Sequence, residues 1–240
     1  MSRLTILRSD SIDSHNRAHQ VLTATPVFAT LPAKILATVA SQLAPRAYVA
    51  GQVICTEGDA ATSLFLLETG WVKGVRMTEG GRKQAIIVLR GGEIFGAESV
   101  FTRAPYPWTV IALEATAAWT IDNATLKSLT GRHPALAIAL LEHLGARACD
   151  YIQLVEDLSL RNVPARLAWT LLSHAESQGG ELIVPRRSWS TLDEIAARLG
   201  TVRDVLSRAL STLEGEGLLR LERHQIVLID PVKLRDRGRA

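Results

Sequence analysis

Cysteine is the scarcest useful chemistry in this chain: two stand among 240 residues, Cys55 and Cys149. They form no short-spaced pair, which argues against a structural metal site and against a disulfide framework. Two thiols also fall short of the four ligands of a usual iron–sulfur cluster. Both are expected to be small buried hydrophobes. Long apolar runs are missing too, since none approaches the ~20 residues that cross a bilayer. Met1-Ser2-Arg3 leads into no signal-peptide core, so no membrane partner and a cytoplasmic location are expected. No Ser/His/Asp or Cys/His constellation, motif-borne acid pair or phosphate loop is present, and the chain reads as a non-enzyme.

What remains is an ordinary globular balance, 47% hydrophobic and 21% charged, on a chain long enough for two small cores. The net charge of +3 is unevenly placed. Residues 161–240 hold 13 Lys and Arg against 10 Asp and Glu, and the other 160 residues hold 14 of each. The whole excess therefore lies in the C-terminal third, where it suits a phosphate-bearing partner.

That third contains the most informative stretch, residues 191–213. Thr191 followed by Glu194 makes a capping box for one short helix, and Gly200 supplies the positive φ that ends it. Ala196 is small where two helices cross. Thr201 with Asp204 reads as a weaker cap for a second helix. On that helix Val205, Leu206, Ala209, Leu210 and Leu213 recur at helical spacing and bury one stripe. Arg203, Asp204, Ser207, Arg208 and Ser211 occupy the opposite stripe. Two guanidinium forks, a carboxylate and hydroxyls equip a helix to read base edges in a DNA major groove. Glu214-Gly215-Glu216-Gly217 closes the helix. Leu218–Leu221 and Gln225–Ile229 then read as a hairpin turned at Glu222-Arg223-His224. Helix, turn, helix and hairpin in this order make a winged helix-turn-helix. Base contacts are assigned to Arg203, Asp204, Ser207 and Arg208. Phosphate contacts are assigned to Ser188, Ser190, Thr191, Ser211, Arg223 and His224.

Upstream, turn residues punctuate short apolar runs from Val27 to about Asp122, the pattern of an antiparallel sandwich or barrel. Strands are expected at Leu64–Leu67, Trp71–Met77, Ala85–Leu89, Thr109–Leu113 and Ala117–Ile121, after a short helix near Ala33–Leu43. Asn123 to Arg161 reads as helix, broken near Gly131–Pro134. Its long part places Leu141, Leu144, Ala148, Tyr151, Val155 and Leu158 at alternating spacings of three and four, the seam of a two-stranded coiled coil. Arg147 and Asp150 flank that seam. A homodimer is expected, with two recognition helices one DNA turn apart on a two-fold operator.

The fold class is thus α+β, in four parts. Residues 1–26 form a polar arm and 27–134 a β-roll effector domain. Residues 135–161 form a dimerisation helix, and 162–240 a winged helix-turn-helix. This plan resembles the CRP/FNR superfamily of bacterial transcription regulators over about residues 27–235. Gly92-Glu93-Ile94-Phe95-Gly96 and Glu194–Gly217 carry the resemblance. Arg203, Asp204 and Arg208 are similar to the Arg-Glu-x-x-x-Arg pattern of the cyclic-AMP receptor branch. Asp204, Ser207 and Arg208 are similar to the Glu-x-x-Ser-Arg pattern of the FNR branch. Asp204 is one methylene shorter than the Glu in both. The resemblance implies double-stranded DNA and a second copy of the chain as partners, with RNA polymerase as a further candidate.

The resemblance also implies an effector pocket, and here the chain departs from the cyclic-AMP branch. Ala97 stands where a Glu binds the ribose, and Pro107-Trp108 replaces the Arg-Ser that binds the cyclic phosphate. Cyclic AMP is therefore not the expected effector. Gly96, Ala97, Glu98, Ser99, Arg103, Pro107, Trp108, Thr109, Tyr151 and Ile152 are assigned to the pocket. Its occupant is open: haem with CO or NO, liganded among His133, His143, Cys55 and Cys149, another small metabolite, or nothing. A hinge is expected at Leu160-Arg161-Asn162, before Pro164, which re-aims the recognition helices when the effector binds. A sensor module that binds protein rather than DNA is the rival from another class.

Overall fold

In the computed structural model, residues 14–77, 83–102, 104–187 and 190–238 are described, the side chain of Lys83 excepted. Arg103 and Ser188 therefore lie outside the described residues. Described residues up to Arg76, together with 86–148, form one unit, and 77–85 with 149–238 form the other.

The first unit opens with α1 (14–24), where a polar arm is expected from sequence. Ala18 and Leu22 are buried in the core there, so a single apolar stripe holds an otherwise polar helix. Next come α2 (Ala33–Ala40), β1 (Ala44–Tyr48), β2 (Val53–Cys55), β3 (Ser63–Thr69), β4 (Trp71–Met77), β5 (Lys83–Arg90) and β6 (Ile94–Phe95), with the end of β4 at Met77 and the start of β5 up to Ala85 counted in the other unit. The strip ends with α3 (Ala97–Thr102), β7 (Thr109–Ala112), β8 (Thr116–Asp122) and α4 (Asn123–Arg132). Two four-stranded sheets result, β1-β8-β3-β6 and β2-β7-β4-β5. The expected strands are all present, each within two residues of its expected ends. Gly96 has φ +87°, and a Cβ there would meet the Ser63 carbonyl at 2.8 Å, so only glycine lets β6 turn this tightly into α3. The core gathers Leu36, Leu64, Leu66, Ile94, Trp119, Ile121, Leu126, Leu136 and Leu140.

Helix α5 (Pro134–Leu160) is one 27-residue element. Its first turns bury Leu136, Ala139 and Leu140. Leu144, expected in the seam, also packs in part against the core. Tyr151 is half-buried as well. The exposed apolar row is instead Ile138, Leu141, Gly145, Ala148, Ile152 and Val155, again at spacings of three and four. Arg147, expected beside the seam, pairs with Glu93 of its own unit at 3.3 Å.

In the second unit, α6 (Val163–Ser173) is capped by Asn162, whose side chain accepts from Ala165 N–H at 3.0 Å. The expected hinge is heavily braced. Arg161 pairs with Asp157 and lies over the Trp169 ring at 5.1 Å. Arg166 Nη1 donates to the Arg161 carbonyl at 2.7 Å. Beyond it lie β9 (Glu176–Gln178), β10 (Glu181–Pro185), α7 (Leu192–Arg198), α8 (Arg203–Gly215), β11 (Leu219–Leu221), β12 (Gln225–Leu228) and α9 (Pro231–Arg237). The sheet runs β11-β12-β10-β9. Leu167, Leu206, Leu210, Leu213, Leu219, Ile226, Leu228 and Leu234 fill the core beneath it.

Candidate nucleic-acid interface and effector site

Helix α8 has the two faces that its sequence demands. Leu206, Ala209, Leu210 and Leu213 are buried, while Arg203, Asp204, Ser207, Arg208 and Ser211 are exposed. Arg203 reaches back to Asp193 of α7 at 3.5 Å. Arg208 Nε donates to the Asp204 carbonyl at 3.3 Å. Neither contact buries its guanidinium, so both forks remain able to turn outward. Asp204 in the first turn complements the positive end of the helix dipole.

The turn that sets the two helices differs in one detail from expectation. Thr191 caps α7, accepting from Glu194 N–H at 3.2 Å, and Gly200 takes φ +65°. The residue capping α8, however, is Val202, with no side-chain hydrogen bond, rather than Thr201. Helix α7 is held by a brace that sequence reasoning missed. Burial pushes the Arg198 guanidinium below its ordinary value, and the Glu194 carboxylate opposes this. Arg198 Nη2 donates to His174 Nε2 at 3.0 Å. Nε2 must then be the accepting nitrogen, so Nδ1 carries the proton and donates to the Thr170 carbonyl at 2.9 Å.

Of the expected phosphate contacts, Thr191, Ser211, Arg223 and His224 are exposed and Ser190 is half-buried. The wing tip is tied down by Arg186 N–H donating to the His224 carbonyl at 2.8 Å. Arg220, not singled out from sequence, is exposed on β11 and pairs with Glu222 at 3.0 Å.

The expected effector residues divide. Gly96, Ala97, Glu98 and Ser99 lie together at the start of α3, and Pro107, Trp108 and Thr109 lead into β7. Ala97 is fully buried. Ser99 Oγ donates to the Pro105 carbonyl at 3.3 Å. Thr109 Oγ1 accepts from Glu57 N–H at 3.1 Å. Trp108 is packed into the roll: a Cβ on Gly74 would meet its Cδ1 at 2.9 Å and Ile87 at 2.7 Å. Its ring therefore fills core space and is not an open wall for a flat ligand. Tyr106 is a further buried anchor. Its hydroxyl accepts from Thr62 and Ser63 N–H and donates to the Ser63 carbonyl, each at 3.3 Å. Tyr151 and Ile152 belong to the second unit, and Ile152 is exposed.

Glu98 is electrostatically unusual. Its Oε1 is buried with no hydrogen-bond partner. Burial raises its pKa, against the pull of backbone N–H groups at Glu98 and Gly96 and of Arg147. The conceivable iron ligands fare differently. Burial pushes the Cys55 thiol up to about 11, against the thiolate that ligation requires. Cys149 is exposed on α5, contrary to the buried role expected for it. His133 caps α4, its N–H donating to the Leu129 carbonyl at 2.8 Å. Among the described residues, no three His, Cys, Asp or Glu side chains converge to hold a metal. Among them too, no helix is long and apolar enough to cross a membrane.

Comparison with known proteins matches residues 45–133 to the cyclic nucleotide-binding domain family. Residues 165–237 match the Crp-like helix-turn-helix domain family. A CRP-like cAMP-activated global transcriptional regulator of Mycobacterium tuberculosis is 26% identical over 224 residues, 92% of this chain and 99% of the relative. The cyclic AMP receptor protein of Thermus thermophilus is 29% identical over 196 residues, 82% of this chain and 88% of the relative. The structure of FixK2 from Bradyrhizobium japonicum shares the fold at a TM-score of 0.73 and 21% identity, over 82% of this chain and 98% of that one. With a cyclic nucleotide-binding domain and a Crp-like helix-turn-helix in one chain, and regulators of this kind as its relatives, the chain belongs to the CRP/FNR superfamily of transcription regulators.

Proposed function

We propose that this protein is a homodimeric, sequence-specific DNA-binding regulator whose β-roll responds to an effector other than cyclic AMP. The exposed row Arg203, Asp204, Ser207 and Arg208 on α8 carries the reading. Arg203 and Arg208 each fork onto guanine O6 and N7, and Asp204 accepts from cytosine N4. Ser190, Thr191, Ser211, Arg223 and His224 hold phosphates and set the register.

The pairing face we assign is the exposed row of α5, Ile138, Leu141, Gly145, Ala148, Ile152 and Val155. It keeps Leu141, Ala148 and Val155 of the seam expected from sequence. Leu144 and Tyr151 leave it because both are half-buried, Leu144 against the core of the roll. Leu158 remains at its C-terminal edge.

Two relatives bear cyclic AMP in their names. In this chain Ala97, Pro107 and Trp108 stand at the positions that resemble the nucleotide contacts, and none supplies the carboxylate or the guanidinium that those contacts use. Electrophoretic or anisotropy titration against duplexes enriched from a random pool tests the reading. Operator affinity should fall steeply with salt, as phosphate neutralisation requires. Affinity for no duplex, or affinity indifferent to salt, would favour a protein-binding module instead.

A further inference from the structure

Val202 stands where a capping side chain belongs. It is the N-cap of α8, extended at φ −112° and ψ 157°, and its carbonyl accepts from Leu206 N–H at 3.1 Å. Its side chain makes no capping bond. Ser, Thr, Asp and Asn are strongly preferred at such a position and valine is among the poorest choices. The same chain caps the neighbouring α7 with Thr191 in the ordinary way. Nor does Val202 repay the lost cap by packing, because it is 62% exposed. A lone exposed apolar residue is unremarkable on most surfaces. This one begins the helix whose first turn presents Arg203 and Asp204, at the end that enters a major groove.

The groove edge offers one apolar group, the C5 methyl of thymine. An isopropyl group has nothing to donate to a phosphate and nothing to accept from a base amine. We propose that Val202 is a specificity-determining residue that reads a thymine methyl in each half-site, beside the base pairs taken by Arg203 and Asp204. The inference rests on the DNA-binding reading above and adds to it a base that the polar row does not specify.

The test is a double-mutant cycle between protein and DNA. Wild-type protein selects duplexes from a random pool, and each thymine of the best duplex is then replaced singly by deoxyuridine, which removes only the methyl. One thymine in each half-site should weaken wild-type binding by about fourfold when its methyl is lost, the factor for one buried carbon. Val202→Ser should bind the thymine and deoxyuridine duplexes alike at that position, while keeping its preference for the guanines. Circular dichroism and melting establish that the variant is folded. Val202→Ala, which keeps one methyl and adds no hydroxyl, serves if Val202→Ser is not. Equal sensitivity of wild type and variant at every thymine, or no sensitive thymine, overturns the proposal while leaving DNA binding intact. Failure to enrich any duplex overturns both, and is told apart by the absence of salt-sensitive binding to the unselected pool.

Discussion

Glu98 loses water without gaining a partner for its Oε1, and burial raises its pKa. A carboxyl whose folded pKa exceeds its unfolded value imposes no penalty below the unfolded value and the full penalty above the folded one. Glu98→Gln should therefore raise Tm at pH 7.5, by about 2–4 °C per kcal/mol relieved, and leave it unchanged at pH 4. Thermal melts at the two pH values check this, and an equal gain at both would assign the effect to shape instead of charge. At Val202 the same scale of argument runs the other way. Val202→Asp gives α8 its missing cap and should add about 0.5–1 kcal/mol of stability. Urea midpoints should rise accordingly while base preference changes, because what helps the isolated helix removes the apolar contact. Arg208→Ala should cost about ten- to a hundredfold in operator affinity relative to random DNA. Competition titrations measure that ratio, and unchanged discrimination would remove Arg208 from the base-reading set.

At the scale of elements, α5 explains why a seam is hard to read from sequence. Any helix with a three–four repeat through Leu141, Ala148 and Val155 has two candidate partner rows, 144-151-158 and 138-145-152. Choosing between them depends on which face its own unit covers, a tertiary fact. Leu144 is drawn to the core, and Leu141 is 65% exposed. Leu141→Asp should therefore abolish the dimer in analytical ultracentrifugation and keep the helical signal, whereas Leu144→Asp should cost the fold about 2–5 kcal/mol. A dimer that survives Leu141→Asp would move the interface elsewhere. Strands such as β4 were legible because turn residues bracket them and apolar residues fill them. Strand β1 was not: its three central residues are all exposed, so no alternation announces it. Helix α1 hides for a related reason, since Ala18 and Leu22 alone of its described residues are fully buried. The two-faced character of α8 was legible because a polar row opposite a buried row is a property of one element. The residues assigned to an effector pocket were less so, since whether Trp108 lines a cavity or fills one depends on Gly74 and Ile87 from two other strands.

For the whole molecule the question is whether the roll takes the effector proposed for it, and which one. Discriminating residues are Ala97, fully buried and without a polar side-chain atom, and Trp108, committed to the core. Neither leaves the polar pair that holds a cyclic nucleotide in the branch this chain resembles. Linkage turns this into a measurement on the intact protein. A ligand that binds only the folded state, present at a hundredfold its Kd, adds about 2.7 kcal/mol. For a chain of this size that amounts to a rise in Tm of about 5–10 °C. Cyclic AMP at millimolar concentration should produce no such rise and no change in operator affinity. Should Tm climb with cyclic AMP, the phosphate must be neutralised by a cation other than those positions, with Arg103 the first to replace. Arg103→Ala would then cancel the rise if that residue supplies the charge, and the Glu98 carboxylate would have found its missing donor in the nucleotide. If Tm stays flat, Glu98→Gln still alters stability through burial alone, and the search for the effector turns to neutral or cationic ligands that can donate to that carboxylate.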